Sequence, residues 1–196
     1  MPGINLVPMY GRVKKCPEQI AADQQFFAYC EKTFKSRQEA AAAFASRGWD
    51  HFYANELDVS MKRFNQAWML DSTNTQVYWG FGNILGKQRH FAASRSFLRL
   101  AIRLNPTNAK VLNDASNSYI NHFLATKNFA ALDTSVLYLK QAIKLNPKQA
   151  RPYADLTAAY YFYSQPDSAR KYLAIADKLD PAAVDKQVRK KLKNAK

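Results

Sequence analysis

The sequence predicts an all-α fold in which one helix–turn–helix unit occurs four times, and two observations carry this prediction. The first is a recurring helix ending, in which Ala-x-x-Leu is followed by Asp or Asn and then by Pro or Ser. Its copies at 67–72, 101–106, 142–147 and 176–181 place their alanines 34, 41 and 34 residues apart. The second is the chemistry of the ending. Ala and Leu share one helical face at this spacing, and proline stops the helix because it lacks an N–H.

A 34-residue period with this ending resembles the tetratricopeptide repeat (TPR), a helix–turn–helix unit. Counting back from each ending gives repeats at 41–74, 75–108, 109–149 and 150–183. The family favours large residues at positions 4, 7, 11 and 24, small ones at 8, 20 and 27, and proline at 32. The second repeat supplies all eight, as Tyr78, Phe81, Gly82, Leu85, Ser94, Leu98, Ala101 and Pro106. The fourth does so too, from Tyr153 to Pro181.

The other two repeats depart from the pattern. The first carries Arg47, His51 and Ser72 at positions 7, 11 and 32. The third contains seven extra residues, and we expect them to lengthen its helices or its turn around residues 120–134. The resemblance implies a right-handed α-solenoid of four repeats over residues 36–183, closed by a helix at each end.

Both ends of the chain read as capping segments, which solenoids need because their terminal repeats expose apolar surface. In the N-terminal segment, 1–35, we expect a helix from about Pro17 to Phe34, since proline suits a first helical position. Ser36 to Glu39 is a capping box that starts the next helix. The C-terminal segment, 184–196, is basic and carries an apolar stripe of Val184, Val188 and Leu192.

The stretch "YWGFGNILGK", residues 78–87, combines three glycines with a lysine, but it fits neither phosphate-binding motif. Gly82 and Gly86 enclose three residues where a P-loop needs four, and the spacing G-x-G-x-x-x-G misses the dinucleotide pattern by one. The repeat register instead makes Gly82 the small residue of position 8, where two helices approach closely. Gly80 and Gly86 lie in the same helix, and we expect open space beside them for a neighbour or a ligand.

The charge and the cysteines leave the compartment open. The net charge is +14, and residues 184–196 contribute +5 of it (six Lys or Arg against Asp185), which is compatible with an anionic partner. No apolar run approaches the roughly 20 residues that cross a bilayer. Without a signal peptide in the sequence, the chain is either cytoplasmic or a mature exported, periplasmic one. Cys16 and Cys30 are either free thiols, which we favour, or a disulfide if the protein is exported.

No catalytic, metal or cofactor site is expected. The three histidines are isolated in the sequence, and none lies in an HExxH or CxxC context. The resemblance likewise implies a non-enzymatic protein.

The resemblance implies a concave groove lined by the first helix of each repeat. The residues that map to groove-facing positions are Trp49, Tyr53, Trp79, Asn83, Lys87, Lys110, Asn113, Asn117, Asn121, Arg151 and Tyr161. The three asparagines on the third repeat are spaced by four, so they share one helical face, where amides can bond to an extended peptide backbone. The two tryptophans offer apolar area with a polar N–H. The alternative is that they pack against the N-terminal segment or the third repeat.

One TPR subclass binds C-terminal carboxylates through a clamp of Lys, Asn and Arg residues. This sequence does not match that clamp in either register. The first register gives Ala45, Trp49, Gly80, Lys110 and Asp114, and the second gives Trp79, Asn83, Asp114, Arg151 and Asp155. The aspartates would repel a carboxylate, so we do not expect this type of chaperone-tail binding.

The sequence therefore predicts a scaffold that binds a protein or peptide segment in the groove, with no specific nucleic acid expected. The leading alternative is an anionic partner, either nucleic acid or an envelope surface, bound through the basic C-terminal helix. A further alternative is a self-associating structural module. The sequence leaves the partner and the oligomeric state undetermined.

Overall fold

Ten α-helices make up most of the computed structural model, which describes residues 3–194. They are α1 (Pro17–Thr33), α2 (Arg37–Tyr53), α3 (Leu57–Leu70), α4 (Thr75–Lys87), α5 (Phe91–Leu104), α6 (Ala109–Thr126), α7 (Phe129–Leu145), α8 (Ala150–Phe162), α9 (Pro166–Leu179) and α10 (Lys186–Asn194). Short turns lie at Ile4–Leu6, Pro8–Arg12 and Pro181–Ala183. These 192 residues contain no β-strand. The last two residues of the predicted basic segment lie outside the described range.

The chain divides into two compact units. The first ends at Leu104 and contains α1 to α5, and the second begins at Asn105 and contains α6 to α10. Within the first unit α2 packs against α3 and α4 against α5, and within the second α6 packs against α7 and α8 against α9. Each unit therefore holds two of the four predicted helix pairs.

Side-chain caps explain where several helices begin. The Ser36 hydroxyl accepts a hydrogen bond from the Glu39 N–H (3.1 Å), while the Glu39 carboxylate reaches back to the N–H of Lys35 (2.9 Å). The predicted capping box is thus present, with its return bond one residue earlier than expected. Asn74, Asn108 and Asn128 cap α4, α6 and α7 in the same manner, by accepting from the first turn of each helix.

Tyrosine at position 4 ties the first helix of a repeat to the turn before it. The Tyr78 hydroxyl donates to the carbonyl of Ser72 (2.5 Å), and the Tyr153 hydroxyl donates to the carbonyl of Pro147 (3.2 Å). Both rings are buried. The same position thus supplies core area and satisfies a turn carbonyl in both units.

Glycines in the first unit allow close packing of an aromatic ring. Phe64 on α3 is fully buried and contacts the backbone of Gly48 on α2 and of Gly80 on α4, so that a side chain at either glycine would overlap the ring. The space expected beside Gly80 is therefore filled by a neighbour. At Gly82 an added Cβ would lie 2.6 Å from Leu98 Cγ, which confirms the close approach of α4 and α5 predicted there.

The seven extra residues of the third repeat lengthen both of its helices, as the sequence predicted. Helix α6 has 18 residues and α7 has 17, whereas α4 and α5 of the second repeat have 13 and 14. The turn between the two helices has two residues in the third repeat and three in the second. The longer helices therefore account for all seven extra residues of the third repeat. The added turns bring Phe123 into a buried cluster with Leu132 and Leu156.

The two ends of the chain pack within their own units. Residues 4–12 lie against α3, where the Asn65 amide donates to the carbonyls of Asn5 (3.0 Å) and Val7 (2.9 Å). At the other end α10 packs on α8 and α9 with Leu192 buried, and the Arg189 guanidinium pairs with Asp177. Arg189 therefore serves as a tether for the basic helix.

The two cysteines lie at opposite ends of α1. Cys16 is the exposed N-cap of this helix and Cys30 is buried near its last turn. Fourteen residues of helix separate them by roughly 21 Å, far beyond the 7 Å limit for a disulfide. Both are free thiols in this structure.

Candidate functional site

Each unit has a layer made from the first helices of its two repeats. In the first unit α2 contacts α4, and in the second α6 contacts α8. The eleven predicted site residues all lie on these four helices. Five belong to the first unit (Trp49, Tyr53, Trp79, Asn83 and Lys87) and six to the second (Lys110, Asn113, Asn117, Asn121, Arg151 and Tyr161).

In the first unit, four aromatic side chains form a continuous group that we call the aromatic face: Trp49, Phe52, Tyr53 and Trp79. The ring centroids of the two tryptophans are 4.4 Å apart, and Tyr53 stacks on Trp49 at 6.0 Å. Phe52 contacts Trp49 edge-on at 5.5 Å and is buried. Tyr53 is 75% exposed, and both tryptophans are half-buried. The face therefore has a buried base and an accessible outer edge.

Polar contacts hold the aromatic face in one arrangement. The Trp49 indole N–H donates to the Gln76 side-chain oxygen (3.0 Å), which links α2 to α4. The edge-on contact of Trp49 with Phe64 (5.3 Å) fixes the indole from below. The ring contacts of Trp49 with Phe52, Tyr53, Phe64 and Trp79 all lie within the first unit. Gln76 lies at groove position 2, and its pairing with Trp49 could be read only from the structure.

Lys87 lies at the edge of the aromatic face and is already engaged. Its ammonium lies 4.4 Å from the centroid of the Phe52 ring and donates to Asn55 Oδ1 (3.2 Å) and the Phe52 carbonyl (3.4 Å). Asn83 donates to the carbonyl of Trp79 one turn earlier (3.1 Å). Both side chains therefore stabilise the unit as well as bordering the face.

In the second unit, Asn113, Asp155 and Arg151 form a polar cluster. The Asn113 amide nitrogen donates to Asp155 Oδ2 (3.4 Å), and Arg151 Nε pairs with the same carboxylate (3.0 Å). Burial raises the pKa of Asp155 above its ordinary range, and the charge of Arg151 opposes this rise. Asn113 is only 4% exposed, so its amide is far less open than its repeat position suggested.

Asp155 is not one of the eleven predicted site residues, although it also maps to a groove-facing position of the fourth repeat. Its spacing of four from Arg151 favours their pairing, because oppositely charged residues at this spacing pair on a helix. Asn113 Oδ1 is shielded from water and has no hydrogen-bond partner within residues 3–194. The cluster therefore holds one unsatisfied acceptor.

The remaining predicted residues of the second unit are more open. Asn117 is half-buried, and Lys110 and Asn121 are exposed. Tyr161 is half-buried, and the ammonium of Lys191 on α10 lies 5.9 Å from its ring centroid. The basic helix thus borders the same face of α8 that carries Tyr161.

Neither a metal site nor a membrane span appears in the described part of the chain. Across residues 3–194, no three His, Cys, Asp or Glu side chains are grouped so that they could hold a metal ion. None of the helices in that range is both long and apolar enough to cross a bilayer. His51 pairs with Glu56 (2.5 Å) at the end of α2.

Comparison with known proteins gives structural matches alone. No family model matches the sequence, and no curated protein sequence does. TTC0263, a thermophilic TPR protein of Thermus thermophilus, matches with a TM-score of 0.67 at 14% identity, over 79% of this chain and 80% of its own. MamA from residue 41 onward, of Desulfovibrio magneticus RS-1, matches with a TM-score of 0.60 at 12% identity, over 72% and 76%.

A third match is the first TPR domain of Spaghetti (RPAP3) bound to the HSP90 peptide SRMEEVD. Its TM-score is 0.56 at 16% identity, over 65% of this chain and 95% of its own. At 12–16% sequence identity, structural similarity is evidence for the fold alone. The helix pairs of this chain, their period and their endings agree with the TPR fold of these proteins. The chain therefore has the tetratricopeptide repeat fold.

Proposed function

We propose that this chain is a non-enzymatic scaffold that binds a protein or peptide segment on the first helices of its repeats (α2, α4, α6 and α8), which we call the inner helices. The observation that carries the proposal is the aromatic face of the first unit. Aromatic side chains that are partly exposed and grouped together are typical of the central contacts of protein interfaces. Single exposed apolar residues are ordinary, whereas three partly exposed aromatic residues grouped on two adjacent helices favour a partner.

The aromatic face suits a peptide that carries an apolar side chain. The indole of Trp49 is fixed by Gln76, so binding would cost little side-chain entropy. Tyr53 presents a ring and a hydroxyl at the open edge, which favours a ligand with an apolar anchor and a nearby backbone carbonyl. Lys87 at the border adds positive charge, so an acidic residue beside the anchor would be favoured.

The second unit, taken by itself, carries polar side chains on the first helices of its repeats. Asn113 is 4% exposed and donates to Asp155, so its amide is not accessible to a bound segment. Asn117 and Asn121 follow at intervals of one helical turn. Amides spaced in this way can pair with successive backbone groups of an extended chain.

The RPAP3 match supports peptide binding as a use of this fold, but the ligand class differs. That domain is bound to a peptide ending in Glu-Val-Asp. In this chain the clamp positions carry Asp114 and Asp155 in one register, and Asp155 is already paired with Arg151. We therefore propose an internal segment with an apolar side chain as the ligand, and not a free C-terminal carboxylate.

The test uses peptides selected against the whole chain from a random display library, with affinities measured by calorimetry. Tyr53→Ser should weaken binding of the selected peptides by more than tenfold, because truncating a hot-spot ring costs about 2 kcal/mol or more and about 1.4 kcal/mol is tenfold. The matched control is Tyr29→Ser, since Tyr29 on α1 is also exposed but lies outside the face. Equal affinity of the Tyr53 variant and the native chain would remove the aromatic face from the proposal.

A further inference from the structure

A cavity of about 460 Å³ opens in the first unit between residues 4–15, α1 and α3. Its volume falls within the range of roughly 300–1,000 Å³ typical of small-molecule sites. The N-terminal segment forms one wall through Tyr10, α1 supplies Phe26, and α3 supplies Met69 and Arg63. None of these residues belongs to the inner helices, so the cavity is separate from the proposed peptide site.

The wall formed by the N-terminal segment is fixed by specific contacts. The Asn65 amide holds two of its carbonyls, and a left-handed turn at Met9, Tyr10 and Gly11 directs the chain back toward α1. Tyr10 is buried by this turn. Non-glycine residues rarely adopt left-handed backbone angles, so the surrounding contacts must hold the turn.

One cation of the cavity is neutralised and another is not. Lys15 pairs with Asp23 (2.5 Å) and lies 3.8 Å from the centroid of the Tyr10 ring. Arg63 donates from Nη1 to Gln66 (2.9 Å), but its Nε–H is shielded from water and meets no acceptor in residues 3–194. A shielded guanidinium N–H without an acceptor is costly, because such groups are normally hydrogen-bonded.

We propose that this cavity binds a small organic anion whose carboxylate reaches Arg63 and whose apolar body lies against Phe26 and Met69. Guanidinium groups match carboxylates in geometry and charge. The cavity adds Lys62 and the neutral Lys15–Asp23 pair, so its surroundings are net positive. The apolar walls favour a ligand with an organic body over a strongly hydrated inorganic anion.

The experiment titrates the whole chain with phenylacetate, and with phenylacetamide and inorganic phosphate as comparisons. Binding is followed by two-dimensional NMR of the labelled protein, and by the rate of tryptic cleavage after Arg12 and Lys14. Both sites are exposed and lie in the segment that forms the wall. We expect saturable binding of phenylacetate at about 1 mM or tighter, and slower cleavage at these two sites because the ligand holds the wall in place.

Arg63→Met should weaken phenylacetate binding by about tenfold or more, since a charge-assisted hydrogen bond is lost. Arg63→Lys, which keeps the charge but loses the planar guanidinium, should also weaken it and covers the case in which the methionine variant folds poorly. The control is Arg99→Met, at an exposed position on α5. The proposal is overturned if phenylacetamide or phosphate binds as well as phenylacetate, if both Arg63 variants bind normally, or if no binding occurs up to about 10 mM.

Discussion

Asn113 illustrates what a repeat position determines about a single residue and what it does not. Position 5 placed this residue on the inner helix of the third repeat, and that is where it lies. Its burial depends on the side chains that the next repeat brings to the same place, namely Asp155 and Arg151. A repeat alignment identifies the face of a helix, whereas exposure depends on side-chain conformations of the neighbouring helix.

The buried carboxylate of Asp155 gives a prediction about pH. Burial raises its pKa above the ordinary 3.8, while Arg151 lowers it less and nearby Asp114 raises it further. The folded chain therefore binds this proton more tightly than the unfolded chain does. It follows that ionisation of Asp155 reduces stability as the pH rises from about 4 through the raised pKa.

Asp155→Asn removes this titration and keeps a group that can bond to Asn113. We expect the free energy of unfolding of the native chain, minus that of the variant, to fall as the pH rises from about 4 to about 7. Urea unfolding of both proteins across this interval measures the difference, in which the other carboxylates cancel. A difference that grows with pH would mean that the pairing with Arg151 outweighs the burial of the carboxylate.

At the scale of elements, the same backbone feature occurs between the two helices of every repeat. One residue in each of these turns has a left-handed backbone angle: Asn55, Arg89, Lys127 and Ser164. None of them is glycine, although glycine is the residue that adopts this conformation without strain. Each of these turns therefore carries backbone strain that glycine would avoid. The strain is smallest at Asn55, because asparagine tolerates the left-handed region.

Arg89→Gly should relieve this strain and raise the melting temperature. Arg89 has a φ of 64° and is exposed, so the substitution removes little besides the steric cost. After the entropy that glycine adds to the unfolded chain, we expect a gain of about 0.5–1 kcal/mol, or roughly 2 °C for a chain of this size. The control is Gln88→Gly, where φ is −76° and glycine should lower the melting temperature. Calorimetry measures the melting temperatures of both variants and of the native chain. A lower melting temperature for Arg89→Gly would contradict the prediction.

The sequence predicted these elements well because their signals are local and repeated. The Asn-Pro endings, the Ser36 cap and the length of the third repeat all follow from residues near one another in the chain. The N-terminal segment could not be predicted in this way. Its fold depends on hydrogen bonds from Asn65, about sixty residues away in the sequence. It also depends on left-handed backbone angles at Met9 and Tyr10, which the sequence does not predict because neither residue is glycine. The cavity beside it was therefore absent from the sequence-based prediction.

At the scale of the whole molecule, positive charge dominates the electrostatics. The net charge of +14 includes the exposed lysines of α10, whose one arginine is tied to Asp177. At about 10 mM salt such charges act over roughly 30 Å, and at about 150 mM over roughly 8 Å. Repulsion between these positive charges therefore opposes folding mainly at low salt. The same positive charge attracts acidic partners under these conditions.

We expect the melting temperature to rise by a few degrees between about 10 and 150 mM NaCl, as screening reduces this repulsion. Lys190→Glu with Lys193→Glu lowers the net charge from +14 to +10, two units per substitution, and should reduce the rise. Both lysines are exposed on α10. A melting temperature that falls with NaCl would mean that favourable ion pairs outweigh the repulsion.

The same double variant separates the two candidate modes of binding. If the aromatic face holds the partner, the variant should slow association at low salt through weaker steering, yet leave the dissociation constant at about 150 mM unchanged. Contacts to a polyanion would behave differently, because their affinity declines steeply with salt and with each lysine removed. Loss of binding by the double variant at about 150 mM, together with normal binding by Tyr53→Ser, would place the partner on α10 and replace the peptide proposal with the electrostatic one.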